Sequence, residues 1–187
     1  MYVMILGAPG SGKGTQGKLL AEHLGIPQVS TGDLLRAAVR DGTPLGRQAK
    51  GYMDQGLLVP DDVIIGLIRE ILDSAGARSG VLMDGFPRTV PQAEAVDRLL
   101  AAKHAKVDHV ALLEVDEAEL VKRLLGRAAK EGRSDDNLQS ITQRLKVFHE
   151  QTAPLIAYYE RQGVVRRVPG MGDIDAIQQR LRKAVAA

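Results

Sequence analysis

The strongest chemical signal in the sequence is a glycine-rich stretch near its start, Gly7-Ala8-Pro9-Gly10-Ser11-Gly12-Lys13-Gly14-Thr15. It follows an apolar run and satisfies the pattern G-x-x-x-x-G-K, which marks a phosphate-binding loop between a strand and a helix. Glycines let successive backbone N–H groups point at phosphate oxygens, and the start of the next helix adds a partial positive charge. The stretch therefore predicts binding of a nucleoside triphosphate, with Lys13 reaching the β- and γ-phosphates.

Metal binding is expected to depend on a carboxylate rather than on this loop. The position that usually carries a Mg²⁺-binding Ser or Thr holds Gly14, and the hydroxyl comes one residue later at Thr15. A second apolar run, from Gly80 to Asp84, ends in a carboxylate. The end of a buried strand is a natural place for a residue that holds Mg²⁺ directly or through water. The alternative for Asp84-Gly85 is an ordinary turn.

The elements that must position these residues alternate between short apolar runs and amphipathic stretches, which predicts an α/β fold with a parallel sheet. Strands are predicted at Tyr2–Leu6, Pro27–Ser30, Gly80–Asp84, His109–Val115 and Val164–Val168. Helices are predicted at Lys13–Leu24, Val90–Lys103, Glu117–Lys130, Leu138–Gln162 with a bend near Pro154, and Ile174–Val185. Three further helices, at Thr31–Asp41, Pro44–Gln55 and Pro60–Ser74, have no strand between the first two, which indicates a helical insertion.

Composition excludes several other classes of protein. The 187 residues suit one domain, and the absence of cysteine excludes a disulfide framework, a thiolate zinc site and a cysteine nucleophile. A net charge of +2 argues against a chain that mainly binds nucleic acid. No apolar run is long enough for a membrane helix, and the start lacks the basic region of a signal peptide. We therefore expect a cytoplasmic protein with neither nucleic-acid nor membrane partners.

Further motifs give the chain a family resemblance. They are Ser30-Thr31-Gly32-Asp33-Leu34-Leu35-Arg36, Asp84-Gly85-Phe86-Pro87-Arg88-Thr89, Gly132-Arg133-Ser134-Asp135-Asp136-Asn137 and Thr152-Ala153-Pro154-Leu155-Ile156. Together with the phosphate loop, they resemble the adenylate kinases of the nucleoside monophosphate kinase family, over about residues 3 to 175. The resemblance implies a five-stranded parallel sheet covered by helices on both faces. It also implies a core of residues 1–30, 61–125 and 137–187, a monophosphate-binding insertion at 31–60 and a short lid at 126–136.

The resemblance implies an activity and a set of site residues. The activity is the reversible transfer of the terminal phosphoryl group from Mg-ATP to AMP, which gives two ADP, by a monomer. ATP would be bound by Gly10, Ser11, Gly12, Lys13, Gly14, Thr15, Arg123, Arg127 and Gly172. AMP would be bound by Thr31, Arg36, Leu57, Leu58, Val59, Gly85, Phe86, Pro87, Arg88, Gln92, Arg133 and Arg144. Catalysis would rest on Lys13, Arg88, Arg123, Arg127, Arg133 and Arg144.

The same resemblance assigns the remaining charged groups. Asp84 would orient hydrated Mg²⁺, and Asp135 and Asp136 would position the lid arginines. Without cysteine, the short lid cannot hold the zinc found in some longer lids. Phosphoryl transfer through a loose transition state needs alignment and charge neutralisation, and an anionic phosphate acceptor needs no general base. A cluster of arginines and one lysine around two anionic substrates is therefore sufficient machinery.

Three alternatives remain open at this point. A UMP/CMP kinase shares the short lid, but those enzymes usually carry Ala in place of Thr31 and Asn in place of Thr89. A regulatory GTPase or ATPase with a phosphate loop would need a hydroxyl at position 14 and, to recognise guanine, an N-K-x-D motif; neither is present. The third alternative is a nucleotide-binding module without catalytic activity.

Overall fold

A computed structural model describes residues 1–131 and 137–186, and its centre is a five-stranded parallel sheet. The strands are β1 (Tyr2–Gly7), β2 (Gln28–Ser30), β3 (Val81–Asp84), β4 (His109–Glu114) and β5 (Val165–Pro169), in the spatial order β2-β3-β1-β4-β5. Every neighbouring pair is parallel. Each strand lies within about one residue of its predicted bounds at both ends, well inside the usual uncertainty of strand boundaries. The predicted sheet is therefore confirmed.

Helices cover both faces of this sheet. They are α1 (Lys13–Leu24), α2 (Thr31–Arg40), α3 (Pro44–Asp54), α4 (Asp61–Asp73), α5 (Val90–Ala101), α6 (Glu117–Glu131), α7 (Leu138–Val147), α8 (Pro154–Glu160) and α9 (Ile174–Val185). Alternate residues of a strand point to opposite faces. Accordingly, Met4 and Leu6 of β1 join the core cluster under α4, α5 and α8, whereas Val3 and Ile5 join the cluster under α1 and α9. Burial on both faces explains the apolar runs of the three central strands, β1, β3 and β4.

The helical insertion between β2 and β3 is also confirmed by the structure. Ser30 caps α2, because its side chain accepts a hydrogen bond from the backbone N–H of Asp33. Thr43 caps α3 in the same way, and Pro44 occupies the first turn of that helix. The two helices pack closely at Gly46, where a Cβ atom would lie 1.9 Å from the carbonyl oxygen of Ala38. Only glycine fits there, so the helix pair depends on this residue.

The long helix predicted from Leu138 to Gln162 is divided in the structure. It consists of α7, a π-helical turn over Phe148–Thr152, and α8. The backbone N–H of Ala153 donates to the carbonyl of Phe148 over 2.8 Å, five residues back. Pro154 has no N–H, so it cannot continue the regular i to i−4 pattern. The predicted bend at Pro154 therefore takes the form of a wider turn that precedes the proline.

The carboxyl ends of the central strands bring the predicted site residues to one edge of the sheet. The phosphate loop follows β1, Asp84 ends β3, and Ser30 at the end of β2 pairs with Asp84. Ligands of open parallel sheets bind at this edge. Of the proposed short lid, residues 126–131 belong to α6, and residues 132–136 lie outside the described part of the chain. Within the described ranges, no helix is long and apolar enough to cross a bilayer.

Candidate active site

The phosphate loop has the conformation that its sequence predicts. Gly10 has a φ of +85°, and a Cβ atom there would lie 2.8 Å from the carbonyl oxygen of Leu120. Gly12 has a φ of +93° and immediately precedes the first residue of α1. The ammonium group of Lys13 donates to the carbonyls of Gly7 over 2.7 Å and Ala8 over 2.9 Å. The loop thus holds the lysine at the helix start, where a phosphate group would bind.

Burial shifts the two charged groups at the centre of the site in opposite directions. Burial lowers the pKa of Lys13 from 10.5 to about 8; Asp84 opposes this shift, and Arg88, Arg144 and Arg127 add to it. Burial also raises the pKa of Asp84, and the nearby cations Lys13 and Arg88 offset part of that rise. Both shifts reflect charged groups removed from water. Such perturbed groups in a cleft are typical of active sites.

Gln28 is a site residue that the sequence analysis did not identify. Its side-chain Nε2 lies 3.4 Å from Asp84 Oδ2 and 3.3 Å from the carbonyl oxygen of Gly14, and it donates to both. The amide therefore links the start of α1 to the carboxylate at the end of β3. A Cβ atom on Gly14 would lie 3.8 Å from Asp84 Oδ2. The loop backbone and the carboxylate are thus adjacent, although the loop has no hydroxyl at position 14.

Basic side chains from five parts of the chain line one large cleft, which we call the central cleft. They are Lys13 and Lys18 of α1, Arg36 of α2, Arg88 between β3 and α5, Arg123 and Arg127 of α6, and Arg144 of α7. The glycines of the loop (Gly10, Gly12 and Gly14) and Thr15 line the same cleft, and Asp33 and Asp84 are its acidic residues. A chain with a net charge of only +2 thus concentrates positive charge in one place. Such a cleft attracts polyanionic ligands.

A second pocket, the insertion pocket, lies between the helical insertion and the core. Most residues predicted to bind AMP line it: Thr31, Arg36, Leu57, Leu58, Val59, Gly85, Arg88, Gln92 and Arg144. The hydroxyl of Thr31 donates to the carbonyl of Gly85 over 2.9 Å, and Arg88 Nε donates to the same oxygen over 2.8 Å. Arg36 forms an ion pair with Asp33 at 2.5 Å. Three arginines of this pocket also line the central cleft, so the two spaces meet at these side chains.

A third pocket, the α9 pocket, lies on the other side of the phosphate loop. Gly172 lines it together with Ser11, Thr15 and Arg123. Arg123 is held by Glu119 at 2.8 Å and donates to the carbonyl of Gly170 over 3.2 Å. The ion pair with Arg123 lowers the pKa of Glu119. All nine residues predicted to bind ATP therefore border either the central cleft or the α9 pocket.

A few predicted site residues are placed differently. Pro87 lines a space next to the insertion pocket, together with Leu58 and Phe148. The side chain of Phe86 is fully buried in the core, so only its backbone is available to a ligand. Arg133, Asp135 and Asp136, for which the resemblance implies roles at the site, lie outside the described residues.

Comparison with known proteins identifies the family. A family profile described as adenylate kinase matches residues 5–164. The chain belongs to the adenylate kinase family. It is 51% identical over 183 residues to adenylate kinase from Thermus thermophilus, covering 98% of this chain and 96% of the relative. It is 49% identical to adenylate kinase from Leptospira biflexa, with 98% of each covered, and 45% identical to that from Citrifermentans bemidjiense, with 100% of each covered.

Membership of the adenylate kinase family confirms the resemblance drawn from the motifs. The chain is a nucleotide kinase, and the alternatives of a regulatory GTPase and of a binding module without catalytic activity are wrong. In the described part of the chain, no cluster of three or more His, Cys, Asp or Glu side chains could hold a metal ion. Of the described acidic residues, only Asp33 and Asp84 line the central cleft.

Asp61 is a second residue that the sequence analysis missed. It lies in the first turn of α4, and its carboxylate accepts hydrogen bonds from the side chains of Thr89 and Gln92. Acidic residues are common in the first turn of a helix, where they interact with the helix dipole. In the sequence, the helix dipole alone was therefore enough to explain an acidic residue at position 61. Only the packing of α4 against α5 shows that it reaches Gln92.

Proposed function

We propose that this member of the adenylate kinase family catalyses the reversible transfer of the terminal phosphoryl group from Mg-ATP to AMP, giving two ADP. The observation that carries the proposal is the meeting of two pockets at shared arginines. Arg36, Arg88 and Arg144 line both the insertion pocket and the central cleft that contains the phosphate loop. Two phosphorylated ligands bound there would have their phosphates at one point, which is the main requirement for direct transfer.

Each pocket suits one substrate. ATP would extend from the α9 pocket across the phosphate loop, with its adenine near Gly172 and Arg123 and its phosphates against Lys13 and Arg127. AMP would occupy the insertion pocket, with its base near Thr31 and Gln92 and its phosphate between Arg36 and Arg88. The transferred group would lie between Lys13, Arg88 and Arg144, together with Arg133. The pockets that the described residues line support these assignments, whereas the place of Arg133 rests on the family motif alone.

Magnesium enters the site with ATP in this proposal. Asp84 is suited to hold its hydration shell, because the carboxylate is buried at the end of β3 beside the loop backbone at Gly14. Mg²⁺ keeps several waters and takes phosphate oxygens as ligands, so one or two carboxylates suffice. The ion neutralises charge on the β- and γ-phosphates. Gln28 donates an N–H to Oδ2 of Asp84, so Oδ1 would be the oxygen that binds a water of the hydration shell.

The residues of this chain act by alignment and charge neutralisation. Lys13 and the arginines stabilise the negative charge on the transferred group, which is spread over its equatorial oxygens in a loose transition state. The AMP phosphate is already an anion, so no base has to remove a proton from it. Such preorganised cations are most effective where water is excluded, because the local dielectric constant is then low.

Exclusion of water requires the cleft to close, and three units would take part. The core would comprise residues 1–30, 61–125 and 137–187, the monophosphate-binding insertion residues 31–60, and the short lid residues 126–136. Closure matters because water competes with AMP as the acceptor of the phosphoryl group. A monomer in the cytoplasm is part of the same proposal, as the family resemblance implies.

The stoichiometry of the reaction tests this proposal. With ATP, AMP and Mg²⁺, phosphorus NMR should show one ATP and one AMP consumed for every two ADP formed, and the reverse reaction from ADP alone. Without AMP, the loss of ATP should be slower by about three orders of magnitude or more, because water is a poorly positioned acceptor. ATP loss at the same rate with and without AMP would show an ATPase and refute the proposal.

A further inference from the structure

The side-chain amide of Gln92 is held at both ends by groups of opposite hydrogen-bonding character. Its Nε2 donates to Asp61 Oδ1 over 2.7 Å, and its Oε1 accepts from the backbone N–H of Arg88 over 2.7 Å. A carboxylate only accepts and a backbone N–H only donates. Rotation of the amide by half a turn would place two acceptors together at Asp61 and two donors together at Arg88. The two partners therefore permit a single orientation of the amide.

Asp61 is itself held in place by Thr89, the N-cap residue of the neighbouring helix α5. The hydroxyl of Thr89 lies 3.1 Å from each carboxylate oxygen of Asp61 and accepts from the backbone N–H of Gln92 over 3.3 Å. Thr89 is the residue that caps α5, and Asp61 is the first residue of α4. Gln92 is only 2% exposed, so little water can replace a lost partner. The network thus joins the starts of two core helices beside the insertion pocket.

The fixed amide presents a defined pattern to the insertion pocket, which Gln92 lines together with Thr31 and Val59. An amide nitrogen carries two hydrogens and an amide oxygen accepts two bonds, so Asp61 and Arg88 use one of each. The remaining N–H and lone pair match the edge of adenine, whose N1 accepts and whose 6-amino group donates. A 6-oxopurine has the reverse pattern, with N1–H as donor and O6 as acceptor. It would need the reversed amide.

We propose that Asp61 is a positioning residue that sets the base specificity of the monophosphate site. By fixing the orientation of the Gln92 amide, it makes the insertion pocket complementary to a 6-aminopurine and mismatched to a 6-oxopurine. This inference rests on the proposed function, in which the insertion pocket takes AMP. It adds that discrimination at purine positions 1 and 6 depends on Asp61, a residue that does not contact the nucleotide directly.

The test compares binding of AMP and IMP, which carry the same ribose and phosphate and differ only at purine positions 1 and 6. Dissociation constants are measured by calorimetric titration for AMP and by competition against AMP for IMP, in the wild type and in Asp61→Asn. The asparagine can donate as well as accept, so it no longer excludes the reversed amide. The preference for AMP over IMP should fall by about tenfold, the usual effect of one lost hydrogen bond to a charged group. It should not vanish, because the N–H of Arg88 still requires an acceptor.

Asp62→Asn is the matched control. Asp62 lies in the same first turn of α4 and carries the same charge, but its side chain is exposed to solvent. Its replacement alters the helix terminus equally and should leave the AMP to IMP preference within about twofold of the wild type. The dissociation constant of ATP should be unchanged in both variants. A general loss of structure would weaken AMP and IMP alike and would not change their ratio.

Two results would overturn the inference, and neither depends on the reaction itself. One is an AMP to IMP preference in Asp61→Asn that stays within about twofold of the wild type. The other is an equal loss of preference in Asp62→Asn. If Asp61→Asn does not fold, Asp61→Ser carries the same expectation. Failure of the proposed function would look different: the wild type would form no ADP from ATP and AMP.

Discussion

ATP binding should take up a proton above neutral pH, because Lys13 is partly deprotonated in the free protein. Burial lowers the pKa of Lys13 to about 8, against the opposing effect of Asp84. A group with this pKa carries roughly 0.9 of a proton at pH 7, about 0.5 at pH 8 and roughly 0.1 at pH 9. Phosphate oxygens beside the ammonium favour its charged form and raise the pKa again. Binding should therefore take up about 0.1, 0.5 and 0.9 proton at these pH values.

The sign of the accompanying change in affinity follows from linkage. A ligand that raises the pKa of a group binds more weakly as the pH rises above the pKa of the free form. With a free-state pKa of about 8, the affinity for Mg-ATP should fall roughly tenfold between pH 7 and pH 9. The assay is calorimetric titration of Mg-ATP in the absence of AMP. Two buffers of different ionisation enthalpy give the number of protons taken up.

Lys13→Arg is the control for this experiment. A guanidinium keeps the positive charge but does not deprotonate in this pH range. Proton uptake at pH 8 and 9 should therefore disappear in the variant, even where ATP still binds. The absence of uptake in the wild type at pH 8 would refute the electrostatic argument. Uptake that persists in Lys13→Arg would assign the proton to another group and would refute it equally.

Four further predictions concern catalysis, the stability of the fold and closure of the cleft. Arg88→Ala should lower kcat by about two to three orders of magnitude, as for other groups that bind charge in the transition state, while far-UV circular dichroism stays native. Gly56→Ala should destabilise the protein by roughly 1–3 kcal/mol in urea unfolding, because φ is +70° and the new Cβ would lie 2.9 Å from the carbonyl oxygen of Ser140. Gly66→Ala, in α4 with open space around it, should instead stabilise by roughly 0.5–1 kcal/mol. A bisubstrate analogue should make the protein more compact in solution scattering, and identical profiles with and without it would contradict closure of the lid and insertion.

Sequence predicted the parts of the fold that local chemistry determines. The buried strand Tyr2–Gly7, the glycine loop and the helix that begins at Lys13 are each specified by a continuous segment, and the structure has all three. The insertion was visible for the same reason, because two successive capped helices leave no room for a strand. The sequence pattern predicted less well the structure of the junction between two helices. The π-helical turn at Phe148–Thr152 depends on a missing donor at Pro154 and on how the chain relaxes around it.

The candidate site shows the same division. Lys13, Asp84 and Arg88 lie in recognisable motifs, so their types and order were enough to propose them. Gln28 and Asp61 lie in no such motif, and each acts through a partner that is distant in sequence. Their contacts arise only when β2 pairs with β3 and α4 packs beside α5. Long-range hydrogen bonds of this kind depend on topology, and a single sequence does not reveal them.

The choice of phosphoryl acceptor distinguishes an AMP kinase from a pyrimidine nucleotide kinase. The measurement is a coupled assay of ADP formation with Mg-ATP as donor and AMP, CMP, UMP or GMP as acceptor. We expect kcat/KM for AMP to exceed that for each other acceptor by about two orders of magnitude or more, because the wrong base would leave polar groups of the insertion pocket unpaired. A preference for CMP or UMP would contradict it and favour the pyrimidine kinase alternative.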